Sequence, residues 1–285
     1  MQAAVFGVTV RISLCNEVLG DMPFERQCVF AAALGYDGLE IAPFTLGAMA
    51  WDLPAQRRAD IRRAAADAGI AITGLHALLW EPKGLSITTS DEALRQRTID
   101  IMRRLIGLAG DLGAKVMVHG SPAARLVDGP DSVRRGVESF AAIAPDAEKA
   151  GVTYCLEPLV KAESIMIRNL QEAFAVVDEI GSPAVRTMID TAGASMGEGR
   201  PVADTIRWAI PSGKIAHVHF SEPNRRGPGE GELAYAPILR ALQDTNYDRV
   251  TAIEPFIFEP NGAACAARQI GYIRGILDAI ATPAG

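Results

Sequence analysis

The run Ile215-Ala216-His217-Val218-His219-Phe220-Ser221-Glu222, continued by Pro223-Asn224-Arg225-Arg226-Gly227-Pro228-Gly229, decides how this chain is read. The first eight residues are apolar and β-prone, and their two histidines stand at i and i+2. On a strand that spacing puts both imidazoles on one face. The residues that follow break into a loop rich in Gly, Pro and Arg. A histidine at a strand end beside such a loop can reach a metal or a substrate, but it needs partners. The fold follows from whether other strands end the same way.

They do, and at regular intervals. Strands are expected at Val5–Ser13, Gly38–Ala42, Ile70–His76, Lys115–His119, Val152–Glu157, Val185–Asp190, Lys214–Phe220 and Arg249–Glu254. Between them lie Ala/Leu/Arg/Glu-rich stretches with helical periodicity: Phe24–Leu34, Pro54–Ala68, Asp91–Leu112, Ser132–Ala150, Asn169–Ile180, the shorter Pro201–Ile210, Ala236–Gln243 and Ala263–Ile280. Asp91 and Ser132 stand where N-caps belong, Pro54 where a first-turn proline is tolerated. Gly35, Gly69, Gly113, Gly151 and Gly181 fall where helices hand over to strands. Strict alternation implies parallel strands joined by right-handed crossovers. Eight units in 285 residues predict an α/β fold, a closed (β/α)8 TIM barrel, as one domain over residues 1–285. An open doubly wound sheet is the alternative, but the G-x-G-x-x-G fingerprint is missing after the first strand.

Bulk composition narrows the function. A chain that is 49% hydrophobic and 22% charged can build a full core. Its net charge of −6 argues against nucleic acid or an anionic membrane as partner. No apolar run approaches membrane-spanning length, and Met1-Gln2-Ala3-Ala4-Val5 lacks the basic start of a signal peptide. Cys15, Cys28, Cys155 and Cys265 are scattered without a C-x-x-C pair. They read as buried thiols of a protein in a reducing cytoplasm.

In a TIM barrel the chemistry sits where the strands end. Strand five ends at Glu157, strand six at Asp190, strand seven around His219 and strand eight at Glu254, spaced by 33, 29 and 35 residues. Four consecutive strands thus deliver three carboxylates and an imidazole to one rim. The carboxylates would repel one another, and a divalent cation removes the conflict. Mostly oxygen donors suit Mn²⁺, with Mg²⁺ or Co²⁺ as alternatives, better than a thiolate-seeking ion. Glu40, His76 and His119 close strands of the first half and would line the opposite wall. Taken singly, Glu157 or Glu254 reads as a solvated acid and Asp190 as a turn cap. His217 reads as an internal histidine satisfied by backbone carbonyls. The Gly227-Pro228-Gly229-Glu230-Gly231 run reads as a turn-forming loop, since it lacks the Lys-Ser/Thr of a phosphate-binding P-loop.

These motifs carry a resemblance. Leu156-Glu157-Pro158-Leu159 with Glu163, Ile189-Asp190-Thr191, His219-Phe220-Ser221-Glu222-Pro223-Asn224-Arg225 with its Gly-Pro-Gly-x-Gly loop, Ile253-Glu254-Pro255, and Gly35-Tyr36-Asp37-Gly38-Leu39-Glu40 together cover essentially the whole chain. The chain resembles the xylose-isomerase-like TIM barrels called sugar phosphate isomerases/epimerases, and within them the D-tagatose/D-psicose 3-epimerase branch. The resemblance implies Glu157, Asp190, His219 and Glu254 as metal ligands, with the step from His219 to Arg225 choosing His219 over His217. It implies Glu163 and Arg225 as substrate-binding residues and a dimer or tetramer of identical chains. Those epimerases carry a histidine three residues after the ligand aspartate, where this chain has Gly193. Endonuclease IV, a histidine-rich three-zinc member of the superfamily, is rejected because only four histidines are available in an acidic chain.

The implied reaction is proton transfer next to a carbonyl through a metal-stabilised enediolate, with Glu157 and Glu254 as the acid–base pair. The expectation is 3-epimerisation of a ketose or keto-sugar derivative. Aldose–ketose isomerisation, a lyase or dehydratase on a keto-sugar or keto-cyclitol, and a non-catalytic sugar sensor are its rivals.

Overall fold

A computed structural model describes residues 9–281. Eight strands close into a parallel barrel in sequence order, with β8 pairing back onto β1. They are β1 (Arg11–Cys15), β2 (Gly38–Ile41), β3 (Ala71–Leu75), β4 (Val116–His119), β5 (Thr153–Leu156), β6 (Val185–Asp190), β7 (Ile215–Phe220) and β8 (Val250–Ile253). The first strand begins later than Val5; residues 5–8 of that expectation lie outside the described residues.

Helices form the outer layer: α1 (Phe24–Ala33), α2 (Ala55–Asp67), α3 (Glu92–Leu112), α4 (Ser132–Ala150), α5 (Leu170–Ile180), α6 (Thr191–Gly197), α7 (Val202–Ala209), α8 (Tyr235–Asp244) and α9 (Gly262–Ala281). Caps fix where several begin. Asp91 accepts the Leu94 N–H at 3.1 Å to start α3, and Asn169 accepts the Glu172 N–H at 2.8 Å to start α5. Ser132 does not cap α4 as expected. It is the helix's first residue, and its hydroxyl instead accepts the Asp128 N–H and donates to the Gly129 carbonyl. The short α6 is absent from the sequence expectation because Thr-Ala-Gly-Ala-Ser-Met-Gly is a weak helix former. Asp190 sets it in place by accepting the Gly193 N–H at 2.7 Å.

The main core lies between barrel and helices. A small second cluster of Val116, Val118, Cys155, Met188 and Ala216 fills the barrel itself. That cluster settles which side chains turn inward. On β4 the inward positions are Val116 and Val118, so Met117 and His119 turn outward. On β7 the register slips opposite Thr187/Met188, so Ala216 and His217 both face the interior and His219 stays on the inward set. The four expected strand-end residues sit within one residue of a strand end, all at the same mouth. Asp190 lies directly opposite His219 in the β6–β7 register.

Candidate active site

Six buried or part-buried side chains alternate acid and imidazole across the upper barrel. Glu17, in the turn after β1, accepts from His76 Nε2 at 2.9 Å, and His76 Nδ1 donates to Glu254 at 3.0 Å. The other Glu254 oxygen accepts from His219 Nδ1 at 2.8 Å. His219 Nε2 donates to Glu40 at 3.0 Å, and the second Glu40 oxygen accepts from His217 Nε2 at 2.7 Å. Gly74 makes this possible, because a Cβ there would press on Val116 and the Glu40 carboxylate. His217 is therefore an internal histidine, as its dull reading held, but a carboxylate satisfies it rather than backbone carbonyls.

Burial opposes charge on Glu40, His76, His219 and Glu254, yet the pairing wins. Against that burial, His217 and His219 hold Glu40 well below the usual carboxylate range, and His219 and His76 pull Glu254 down to about 2. Glu254 and Glu40 hold His219 well above its ordinary value, and Glu17 and Glu254 do the same for His76. Two neighbouring carboxylates go the other way. Loss of solvent, then repulsion from Glu254 and Asp190, pushes Glu157 up to about 8. Loss of solvent and Glu254 raise Asp190 to about 6, although Ser221 and the Gly193 N–H bond its carboxylate.

Ligand atoms of Asp190, His219 and Glu254 lie within 4.8 Å of one another. Glu157 stands beside this cluster and couples electrostatically to it, at a place where any Cβ on Gly120 would strike its carboxylate. The donor set fits a divalent cation. Its unpaired acids are pushed toward protonation for want of positive charge, and His219 has its far nitrogen fixed by Glu40, an arrangement typical of metal-binding histidines.

The remaining expected site residues separate into two groups. Arg225 lies on the β7–α8 loop near the same mouth, in the left-handed region at φ 66°, with its guanidinium 4.8 Å from the Phe256 ring. Such backbone strain in a non-glycine residue is found where structure around it enforces it. Here the Arg225 carbonyl accepts from Phe256 and Ile257. Glu163 is exposed in the turn after β5. His76 joins the cluster, but both its ring nitrogens are spent on carboxylates, leaving none for a sugar hydroxyl. His119 does not line the mouth at all. It faces outward, where Nδ1 meets the Tyr154 hydroxyl at 2.7 Å and Phe140 packs edge-on at 5.0 Å.

Sequence reasoning missed two residues. Glu17 carries no periodic signal, being in an irregular turn. Ser221, whose hydroxyl donates to Asp190, could have been found by stepping two residues along the inward face from His219. Arg125 is buried and donates to the Glu157 and His119 carbonyls. The glycine-rich loop is a turn, as expected: Glu222 is buried beneath it and accepts the Leu233 N–H. All four cysteines are buried free thiols.

A closed parallel barrel with acids and imidazoles gathered at its C-terminal mouth defines the fold and site, and comparison with known proteins gives the family. Residues 28–275 match the model of the xylose isomerase-like TIM barrel, and the chain belongs to that family. It is 31% identical over 234 residues to a D-psicose 3-epimerase of Agrobacterium fabrum, covering 79% of this chain and 77% of that one. It is 25% identical over 256 residues to a fructoselysine 3-epimerase of Shigella flexneri, covering 87% and 91%. A crystal structure of a D-psicose 3-epimerase in the presence of D-fructose superposes with a TM-score of 0.78 at 24% identity, covering 94% and 97%. These relatives place the chain among enzymes of the isomerase class. Among the described residues no helix is long and apolar enough to cross a membrane.

Proposed function

We propose that this protein is a divalent-metal-dependent 3-epimerase of a ketose or keto-sugar derivative. The observation that carries the reading is that Asp190, His219 and Glu254 bring ligand atoms within 4.8 Å of one another, with Glu157 beside them, at the ends of consecutive strands β5–β8. With Glu157 on one side of the mouth and Glu254 on the other, one takes the proton beside the carbonyl and the other returns it from the opposite face, inverting the centre.

Asp190, His219, Glu254 and Glu157 would hold the ion, Mn²⁺ by preference. Bound there, a divalent cation supplies Lewis acidity that favours negative charge on the substrate oxygens. The rest falls to the chain. Ser221 and the Gly193 N–H fix the Asp190 carboxylate, Glu40 aims the His219 ring, and His76 aims Glu254. Arg225 and Glu163 would bind the polar end of the substrate. Gly193 presents no side chain to sugar hydroxyls, which favours a substituted ketose over a free ketohexose. The relative named for fructoselysine, a ketose derivative, is consistent with that choice.

The test is solvent deuterium exchange into candidate ketoses, followed by NMR. The wild type is expected to incorporate one deuteron at C3 and to yield a stereoisomer of equal mass. Glu157→Gln and Glu254→Gln should each stop incorporation. Exchange surviving in both variants, or a product lighter by one water, would reject the reading.

A further inference from the structure

The opposite mouth of the barrel, where the strands begin, holds a cavity of about 300 Å³. Three cations border it: Arg11 at the start of β1, Lys115 just before β4 and Arg249 just before β8. Among the described residues no carboxylate lines it. Arg11 is held by the Asp248 backbone carbonyl at 2.6 Å, which leaves its charge uncompensated. Among the described residues the side chains of Lys115 and Arg249 form neither a hydrogen bond nor an ion pair. Most other arginines of this acidic chain do find a carboxylate, as Arg58 does with Asp111 and Arg274 with Asp37.

The wall adds the polar side chains of Thr73 and His217. His217, only 1% exposed, lines the cavity, and among the described residues only its Nε2 is hydrogen-bonded. Three cations around one cavity match a phosphate group, whose oxygens accept from Arg and Lys.

We propose that the N-terminal mouth of the barrel is a binding site for a phosphate oxyanion, free or carried on a small organic molecule, held by Arg11, Lys115 and Arg249. This site is separate from the catalytic mouth and does not depend on the epimerase reading.

Isothermal titration of inorganic phosphate into the metal-loaded protein, at chloride-matched ionic strength, tests it. Saturable binding with one phosphate per chain is expected. Lys115→Gln and Arg249→Gln should each weaken it by about tenfold, as for loss of one charge-assisted hydrogen bond, and the double variant by more. Both side chains are exposed, and unchanged melting curves will show that the variants fold. Arg225→Gln, at the other mouth, should leave the affinity as it is. Glycerol phosphate run in parallel identifies the source: whichever ligand binds tighter is the form the cavity is shaped for. If the three cations merely offset the helix C-termini at this mouth, phosphate will give no saturable response and the proposal fails. It also fails if the double variant binds as the wild type does, or if Arg225→Gln alone abolishes binding.

Discussion

Strands β5–β8 and strands β1–β3 both feed the same buried cluster, but they contribute different things. The later half brings the groups that converge, Glu157, Asp190, His219 and Glu254, at or within one residue of the ends of consecutive strands. The earlier half brings Glu40 and His76, which bond His219 and Glu254, and Glu17, which bonds His76. One half is built to grip, the other to aim. The difference teaches why a carboxylate as deeply buried as Glu40 is tolerated. Two imidazoles share its charge, and it returns the favour by fixing the His219 ring for a ligand on the other nitrogen.

The sharpest way to break this division is to remove an acid from the gripping half. Glu157→Gln or Glu254→Gln should lower kcat by about 10⁴-fold, the range of a lost general acid or base, measured as epimer formation under saturating metal. A smaller loss is expected from the aiming half. Glu40→Gln should weaken divalent-metal affinity by about 10- to 100-fold, read by competition with a fluorescent chelator, while added metal restores much of the activity. If excess metal restores nothing, Glu40 belongs to the chemistry and the division fails.

Smaller again is His76→Asn. Because His76 acts on Glu254 and not on substrate, kcat should fall by roughly tenfold with little change in KM. A KM effect without a kcat effect would return His76 to the substrate wall. The smallest expected effect is at His119, which faces away from the mouth. His119→Phe should leave activity unchanged and alter only the acid side of the stability curve. Burial, then Arg125, holds the His119 pKa well below its ordinary value, so the folded protein refuses a proton that the unfolded chain accepts below about 6.5. The unfolded state then binds more protons, and stability falls with pH in that window. Denaturant melts at pH 7 and below 6 should show a smaller drop for the variant than for the wild type.

The barrel was legible because alternation of β-branched runs with helical stretches leaves few other ways to bury both patterns. The gripping half was legible for the same reason: its residues close strands, and strands were what the pattern marked. The aiming half was harder to read. Glu40 and His76 closed strands too, yet nothing in one dimension told that Glu40 lies between two histidines more than 170 residues away. Glu17 sits in a turn with no period to reveal it. His119 was misplaced through side-chain parity. Val116 and Val118 take the inward positions of β4, and a count of two from either would have sent His119 outward. On β7 even that count breaks down, since the register slip at Ala216 turns two successive residues inward. Asp190 shows how two readings can share one residue: it caps α6 through the Gly193 N–H and still faces His219.

The gripping half is expected to hold one divalent ion. Elemental analysis of protein dialysed against Mn²⁺ and then against metal-free buffer measures this directly, in the wild type and in Asp190→Ala and His219→Ala. One ion per chain in the wild type, and well under a tenth of that in both variants, is the predicted result. A wild type that keeps no ion, or variants that keep a full equivalent, would contradict it.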